Sequence, residues 1–334
     1  MNTKDQTERS PLSANGMEAD DNTADRRKSE SKRPGAESAK GTERNMMEQI
    51  LAPENLNAAW QRVRRNQGAP GVDGITIEAF PAILREHTES LRQALIAGSY
   101  RPMPVRRTFI PKPDGTERPL GVPTVLDRLI QQAVAQVLSP LFDPGFSENS
   151  HGFRPGRNAH QAVRQVQAAW KDRRRHAVDC DLKSFFDTVN HDRLMDGLRQ
   201  KVKDARVLAL IHRYLKAGVV LPDGRVEETP QGVPQGGPLS PLLANIVLDP
   251  LDKELEKRGH RFARYADDFI IMVKSARAAQ RVMAGLVRYV EGRLKLAVNP
   301  AKCKIALLKE CSFFELQDNG TGKRRLDREG LSAV

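Results

Sequence analysis

Two segments far apart in the sequence place carboxylates beside apolar, strand-forming residues. The stretch 177–182 alternates as a strand does and carries Asp181 near its end. The stretch 262–273 predicts two strands, and the tip between them carries the adjacent pair Asp267 and Asp268. Adjacent carboxylates raise each other's pKa unless a cation neutralises them. Because two divalent cations about 4 Å apart can stabilise the attacking and leaving oxygens of a phosphoryl transfer, the pattern suggests that chemistry.

Each acidic segment taken alone has an ordinary structural explanation. Paired aspartates are common in turns, and an aspartate at a strand end is usually solvated. A third segment lies between them, the glycine- and proline-rich stretch 229–241, which runs into a helical pattern. Glycines allow a backbone to approach a ligand closely, and a helix N-terminus favours an anionic phosphate. The alternative for this stretch is a plain loop before a helix.

The elements that must position these segments can be predicted from periodicity. An apolar stripe over 126–138 predicts an amphipathic helix with Thr124 as its N-cap. A hairpin is expected over 104–122, turning at Pro113-Asp114-Gly115. Further helices are predicted over 53–66, 158–172, 190–216, 239–257 and 276–293. Because hairpins and helices are mixed without a regular βαβ series, the predicted class is α+β.

The composition narrows the kinds of partner. The 334 residues carry a net charge of +12. Residues 1–45 hold equal numbers of basic and acidic side chains, so the excess lies in the folded part, where it favours nucleic acid or simply gives a basic surface. The three cysteines form no Cys-x-x-Cys pair, which argues against a disulfide framework or a zinc knuckle and favours a reduced, cytoplasmic protein. No membrane span or secretory signal is expected.

Six sequence blocks, taken in order, resemble the bacterial group II intron reverse transcriptases, which are also called intron maturases. The resemblance runs from about residue 46 to about residue 310. The blocks are Pro70–Gly74, the finger motif (Ile110–Lys112, Arg118–Thr124 and Asp127-Arg128), Ser150–Arg157, Asp181–Asp187, Pro234–Gly237, and Arg264–Asp268, which is similar to the family's Tyr-x-Asp-Asp box. The resemblance implies a right-hand polymerase with fingers and an antiparallel palm sheet packed on helices.

The same resemblance implies roles for individual residues. Asp181, Asp267 and Asp268 would be catalytic, and together with Leu182 they would bind two Mg²⁺ ions. Lys112 and Arg118 would neutralise the triphosphate of an incoming deoxynucleotide. Gln235 and Gly236 would line the nascent base pair, and Phe185 would lie beneath the sugar and exclude a 2′-hydroxyl. Lys302 would approach the site or remain solvated. For the basic side chains the alternative is a solvated surface, and for Phe185 it is a core aromatic.

Domain boundaries follow from composition and from the resemblance. Residues 1–45 are expected to be a disordered tail, 46–160 an N-terminal block with fingers, and 161–310 the palm. Residues 311–334 depart from the family's primer-grip pattern, because Glu315 stands where a small residue is usual. No helical thumb, maturase domain or endonuclease segment follows, so a truncated or frameshifted copy is expected and nuclease activity is not.

The function expected from these observations is RNA-directed DNA polymerisation, with RNA template, primer and deoxynucleotides as partners. Three alternatives remain. The chain could be an RNA-binding splicing cofactor whose polymerase is impaired, or a fragment without stable activity. A viral-type RNA polymerase is disfavoured because such enzymes usually carry Gly-Asp-Asp and must accept a 2′-hydroxyl, which Phe185 would exclude. The intron and the oligomeric state do not follow from the sequence.

Overall fold

The fold combines helices with two separate four-stranded sheets. The computed structural model of the chain describes residues 45–111, 115 and 117–311. The helices in these residues are α1 (Met46–Ile50), α2 (Pro53–Arg65), α3 (Phe80–Ile96), α4 (Val125–Phe142), α5 (Ala159–Lys171), α6 (Phe185–Thr188), α7 (His191–Lys201), α8 (Ala205–Leu215), α9 (Ser240–Lys257) and α10 (Ala276–Tyr289). The strands are β1 (Val105–Pro111), β2 (Glu117–Val122), β3 (His176–Cys180), β4 (Val219–Val220), β5 (Val226–Glu227), β6 (Arg261–Tyr265), β7 (Asp268–Val273) and β8 (Lys304–Leu307).

The first sheet, which we call the central sheet, has the strand order β6-β7-β3-β8 and is antiparallel throughout. Both of its faces are buried. Ile270 and Met272 pack with α5 on one face, whereas Phe269 and Ile271 face the main core on the other. This double burial explains why β7 is apolar at nearly every position, since a strand with one solvated face would alternate with polar residues.

The second sheet, which we call the outer sheet, has the order β2-β1-β4-β5. Strands β1 and β2 form the predicted hairpin, with Arg106 opposite Val122 and Pro111 opposite Glu117. Strand β4 adds parallel to β1 through only two residue pairs. Phe109 and Ile110 are 45% and 41% exposed, so the hairpin carries apolar side chains at the surface.

Helix α4 runs through the centre of the main core and packs against α1, α2 and α9. It begins where the sequence predicts, because the Thr124 hydroxyl accepts a hydrogen bond from the backbone N–H of Asp127 at 3.0 Å. Helix α5 likewise begins at a capping box formed by Asn158 and Gln161. These caps fix where α4 begins in the main core and where α5 begins against β6 of the central sheet.

The predicted α+β class and most predicted elements are confirmed, with one clear error. The continuous helix expected over 190–216 is wrong, because the chain breaks at 202–204 and forms two helices, α7 and α8. Asp204 causes the restart by capping α8, since its carboxylate accepts from the backbone N–H of Arg206 at 3.0 Å. Strands β4, β5 and β8 and helix α3 were not expected.

Several expectations fall on residues that the structure does not describe. They concern the tail over 1–44, Lys112 in the fingers hairpin, and the primer-grip region over 312–334. The division of the chain near residue 160 remains a prediction. Among the described helices, none combines the length and the apolar character that a membrane crossing requires.

Candidate active site

The register of the central sheet brings the two acidic segments together. Strand β3 pairs antiparallel with β7, and Cys180 lies opposite Phe269. The next pair in this register is Asp181, one residue after Cys180, and Asp268, one residue before Phe269. The two aspartates therefore lie side by side at the same end of the sheet. Both continue the face formed by Asp179 and Ile270, because side chains two residues apart in a strand share a face. The convergence on which the two-metal expectation depends is thus present in the backbone.

Asp267 lies in the two-residue turn that joins β6 to β7. Ala266, the first residue of the turn, has a φ of +57°, which an L-residue adopts only at a cost. Asp267 is half-buried, and this burial raises the pKa of its carboxyl group. The charge of Asp181 raises that pKa further, whereas Arg118 and Arg264 lower it. Asp267 therefore shares one electrostatic environment with Asp181 and with the fingers hairpin.

Asp181 is held by the segment that precedes β8. Its carbonyl oxygen accepts from the backbone N–H of Asn299 at 2.9 Å, and its carboxylate accepts from the Asn299 amide at 3.3 Å. The ammonium of Lys302 lies 3.5 Å from the same carboxylate oxygen. Because Lys302 is 59% exposed, this ion pair is weak and can open readily. The expectation that Lys302 approaches the site agrees with this geometry.

A pair of free thiols lies directly behind Asp181. The sulfur atoms of Cys180 and Cys303 are 2.6 Å apart, and the backbone N–H of Asp181 donates to the Cys303 sulfur at 3.3 Å. Hydrogen bonding to Cys303, with burial second, raises the pKa of the Cys180 thiol. The same hydrogen bond lowers the pKa of the Cys303 thiol, which also donates to the carbonyl oxygen of Asp181 at 3.4 Å.

The glycine-rich loop joins the carboxylate end of the central sheet to the outer sheet. At its start, the backbone N–H of Val233 donates to the carbonyl of Phe186. Further on, the carbonyl of Gln235 accepts from the N–H of Gly121 on β2 at 2.8 Å. Gly236 has a φ of +110°, and a Cβ there would lie 2.8 Å from the Gly121 carbonyl oxygen. This close approach requires glycine at residue 236.

Phe185 lies just past Asp181, at the start of α6. Its side chain is 2% exposed and packs edge-on against Phe186, with ring centroids 5.1 Å apart. Ser184 precedes it in a left-handed conformation, with a φ of +46°, which turns the chain sharply from the strand into the helix. Phe185 is therefore a buried core aromatic, and its role as a sugar gate stays a prediction.

The fingers hairpin contributes positive charge from the opposite side. Arg118 on β2 is half-buried and close enough to lower the pKa of Asp267. Burial raises the pKa of Asp187, and the charge of Arg107 on β1 partly offsets this rise. Lys112 lies outside the described residues, so only the Arg118 half of the predicted triphosphate site can be placed.

The donor chemistry fits hard divalent cations. Asp181, Asp267 and Asp268 supply carboxylate oxygens, and Leu182, whose side chain is apolar and buried, can supply only its backbone carbonyl. A bound cation would relieve the burial and repulsion that raise the pKa of Asp267. Within the described residues, no three acidic, histidine or cysteine side chains are gathered into a ready-made ligand cluster. A cation bound at Asp181 would compete with the Lys302 ammonium for the same carboxylate oxygen.

Sequence reasoning missed a buried polar cluster behind the turn. Arg264 on β6 is 0% exposed and forms an ion pair at 2.6 Å with Asp252 on α9, which is also 0% exposed. Arg264 also donates to Asn245 on the same helix at 2.9 Å. A signal was available, because Asn245 and Asp252 lie two helical turns apart and interrupt an otherwise apolar stripe.

The sequence of this chain matches a known family model. Residues 110–324 match the model described as reverse transcriptase (RNA-dependent DNA polymerase). The protein YkfC of Escherichia coli is 35% identical over 305 residues, which cover 79% of this chain and 80% of that protein. The group II intron-encoded protein LtrA of Lactococcus lactis is 35% identical over 259 residues, covering 77% of this chain and 42% of LtrA. The chain thus spans less than half the length of LtrA.

Solved structures that match part of this chain include a partial Cas6-RT-Cas1–Cas2 complex, with a TM-score of 0.47, 27% identity, and coverage of 74% of this chain and 42% of that one. The truncated apo telomerase of Candida tropicalis has a TM-score of 0.48 and 14% identity, and covers 63% of this chain and 51% of that one. This chain belongs to the reverse transcriptase family, and its relatives include group II intron-encoded proteins.

Proposed function

We propose that this chain is an RNA-directed DNA polymerase of the group II intron type, with its catalytic centre at Asp181, Asp267 and Asp268. The observation that carries the proposal is the β3–β7 register, which sets Asp181 beside the Asp267–Asp268 turn. The reaction joins the primer 3′-hydroxyl oxygen to the α-phosphorus of a deoxynucleotide and releases pyrophosphate. Carboxylates that meet on a rigid sheet suit this chemistry, because the reacting oxygens must be held in line.

Reverse transcriptases use divalent metal ions, and we assign two Mg²⁺ ions to this site. Asp181, Asp267, Asp268 and the carbonyl of Leu182 would hold them. When bound, the ions would neutralise charge on the attacking and leaving oxygens. The raised pKa of Asp267 supports this assignment, because a buried acid beside a second carboxylate favours binding of a cation.

The nucleotide would lie between the two sheets. Arg118, with Lys112 on the same hairpin, would bind the triphosphate, since the charge of Arg118 already reaches Asp267. The backbone at Gln235 and Gly236 would pack against the nascent base pair, and Phe185 would lie beneath the sugar. In this assignment, residues 46–160 form the N-terminal block and fingers and residues 161–310 the palm, although β4 pairs with the fingers hairpin and β5 pairs with β4.

The partners in this proposal are an RNA template, a primer and deoxynucleotides. The net charge of +12 supports binding to a polyanion. A cytoplasmic location is part of the proposal and follows from the three free cysteines. Within the described residues, nothing favours the splicing-cofactor alternative over polymerisation.

Primer extension tests the proposal directly. Purified protein, an RNA template with an annealed DNA primer, deoxynucleotides and Mg²⁺ should give full-length product, and ribonucleotides should give far less. Asp267→Ala should abolish extension while the far-UV circular dichroism spectrum stays unchanged. Extension by Asp267→Ala at the wild-type rate would refute the site, and preferential use of ribonucleotides would refute the role of Phe185.

A further inference from the structure

Arg264 uses nearly all of its hydrogen-bonding capacity, although it is completely buried. Its Nε and Nη2 atoms donate to the two carboxylate oxygens of Asp252 at 2.8 and 2.6 Å. Its Nη1 atom donates to the Asn245 side-chain oxygen at 2.9 Å and to the carbonyl oxygen of Ala266 at 2.8 Å. A buried ion pair is rarely kept for stability alone, because an apolar replacement is often as stable.

The Ala266 carbonyl is the contact that links this cluster to the catalytic turn. Ala266 has a φ of +57° and directly precedes Asp267. Its left-handed conformation costs about 1–2 kcal/mol for an L-residue, so the turn needs external contacts to persist. The bond from Arg264 fixes the orientation of the peptide unit that leads into Asp267.

The turn is braced from a second side by the segment around Gly152. The Asn245 amide donates to the Gly152 carbonyl at 3.0 Å, so one side chain joins Arg264 to this segment. A Cβ on Gly152 would lie 2.9 Å from the carbonyl carbon of Tyr265 and closer still to the nitrogen of Ala266. The backbone of Gly152 therefore lies directly against the turn, with no room for a side chain.

We propose that Arg264, Asp252, Asn245 and the backbone of Gly152 form a positioning cluster that sets where the Asp267 carboxylate projects, and so tunes metal binding and turnover. The inference rests on the proposed function of Asp267. None of the four residues touches the reacting atoms; they act through the peptide unit of Ala266. Helix α9 supplies the rigid base, because Asn245 and Asp252 lie on one of its faces and are themselves buried.

A competing view is that the cluster only stabilises the fold, and the chain offers a matched comparison. Asp204 is also buried and also accepts from an arginine, Arg206, at 2.8 Å, but it joins α8 to α1 rather than to the catalytic turn. The substitutions Asp252→Asn and Asp204→Asn each remove one charge from an arginine–aspartate pair. Both substitutions should lower the melting temperature. Only Asp252→Asn should change kcat and the Mg²⁺ concentration at half-maximal rate.

The sharpest single variant is Arg264→Lys. Lysine keeps the charge but cannot satisfy Asp252, Asn245 and the Ala266 carbonyl together, because it lacks the planar fork. We expect kcat to fall about 10- to 100-fold with the deoxynucleotide KM changed less than about threefold, since a misplacement of about 1 Å can cost a factor near 10². The Mg²⁺ concentration at half-maximal rate should rise, and Asp204→Asn should leave it unchanged.

Hydrogen exchange supplies a readout that does not depend on activity. Amides of the peptide covering 262–269 should exchange faster in Arg264→Lys than in wild type, and should be unchanged in Asp204→Asn. If Arg264→Lys does not fold, Asn245→Ala removes the acceptor for Arg264 and the donor to Gly152 without changing charge, and it should give the same effects at smaller size.

Two outcomes would overturn the proposal. One is a variant of Arg264 or Asn245 that melts earlier yet keeps the wild-type kcat and Mg²⁺ dependence. The other is unchanged exchange in 262–269. If the wild-type protein extends no primer, the proposed function fails, and the exchange measurement alone still decides whether the cluster holds the turn.

Discussion

The central and outer sheets place opposite charges at the same site by different means. In the central sheet, β3 and β7 pair over five residues and are buried on both faces, and they end in the aspartates. In the outer sheet, most residues of the β1–β2 hairpin are half-buried or exposed, its arginines are half-buried, and β4 extends the sheet by only two pairs. The aspartates are thus held by strands that are buried on both faces. The arginines lie on a hairpin whose one further strand contact is the two-pair edge with β4, within the described residues.

This difference matches what each charge must do. A metal ligand must be placed to within a fraction of an ångström, because coordination geometry is strict. A cation that neutralises a triphosphate acts over several ångströms and can follow its ligand. We therefore expect substitutions in the central sheet to lower kcat, and substitutions in the outer sheet to raise the deoxynucleotide KM.

The largest effect is expected at Asp267. Asp267→Asn should lower kcat for primer extension at least about 10³-fold, because loss of a ligand carboxylate removes about 4 kcal/mol of charge stabilisation.

The same substitution should not lower the thermal stability of the metal-free protein. Since the folded pKa of Asp267 is raised, its ionisation weakens folding as pH rises above the range of a free carboxyl. Without metal, Asp267→Asn should melt at the same or a higher temperature at pH 7, as measured by differential scanning calorimetry.

A smaller effect is expected behind the turn, at Gly152. Gly152→Ala forces the turn to shift, because its Cβ would overlap the backbone at Tyr265 and Ala266. We expect kcat to fall about tenfold or more and stability to drop by about 1–3 kcal/mol. Gly292→Ala is the matched control, since a Cβ there meets nothing within 4 Å. Equal behaviour of the two variants in kinetics and thermal melting would contradict the tight packing.

The outer sheet should show its effect in binding. Arg118→Ala is expected to raise the deoxynucleotide KM about tenfold with a lesser change in kcat, because one charge contact to the triphosphate is lost. Arg118→Lys should recover part of the affinity. Arg225, an exposed residue of the β4–β5 turn that pairs with Asp223, is the control and should tolerate alanine. A tenfold fall in kcat at constant KM would instead assign Arg118 to the transition state.

The smallest effect on activity is expected at Asp204, which belongs to neither sheet. Burial acts to raise its pKa, but hydrogen bonds from Arg206 and from the backbone of Met47 hold the pKa below the ordinary value. The stability that Asp204 supplies is therefore present at neutral pH and is lost as pH falls through the acid range. Asp204→Ala should cost about 1–3 kcal/mol at pH 7 in urea unfolding, and less near pH 3. A constant loss across this range would rule out the charged form as the cause.

Local patterns predicted much of the fold. Thr124 predicts the start of α4, and the apolar run of β7 next to two aspartates predicts the β6–β7 hairpin. Both predictions succeed because helix caps and strand periodicity depend on only a few neighbouring residues. The break between α7 and α8 was missed because apolar periodicity continues across 202–204 while Asp204 takes the backbone for a new cap. Strands β4 and β5 are two residues long, and they form because β4 pairs with β1 and β5 pairs with β4, which no local pattern reveals.

In the candidate site, too, some residues could be predicted from local sequence, whereas some contacts appear only in the folded structure. The carboxylates Asp181 and Asp268 could be predicted as candidates from residue type and family pattern, and the β3–β7 register then brings them together. The polar residues Asn245 and Asp252 were visible as a break in an apolar stripe, but their pairing with Arg264 was not, since a charged residue within a strand usually points to solvent. Only the packing of α9 against β6 brings Asp252 within reach of it.

The register of β7 also limits how this hairpin can change over generations. Insertion or deletion of one residue between Phe269 and Val273 would send every later side chain to the other face of the sheet, exchanging the layer under α5 with the main core. Length changes inside the hairpin should therefore be tolerated only in pairs, or not at all. Sequence change within the β6–β7 hairpin should therefore occur mainly by point substitution.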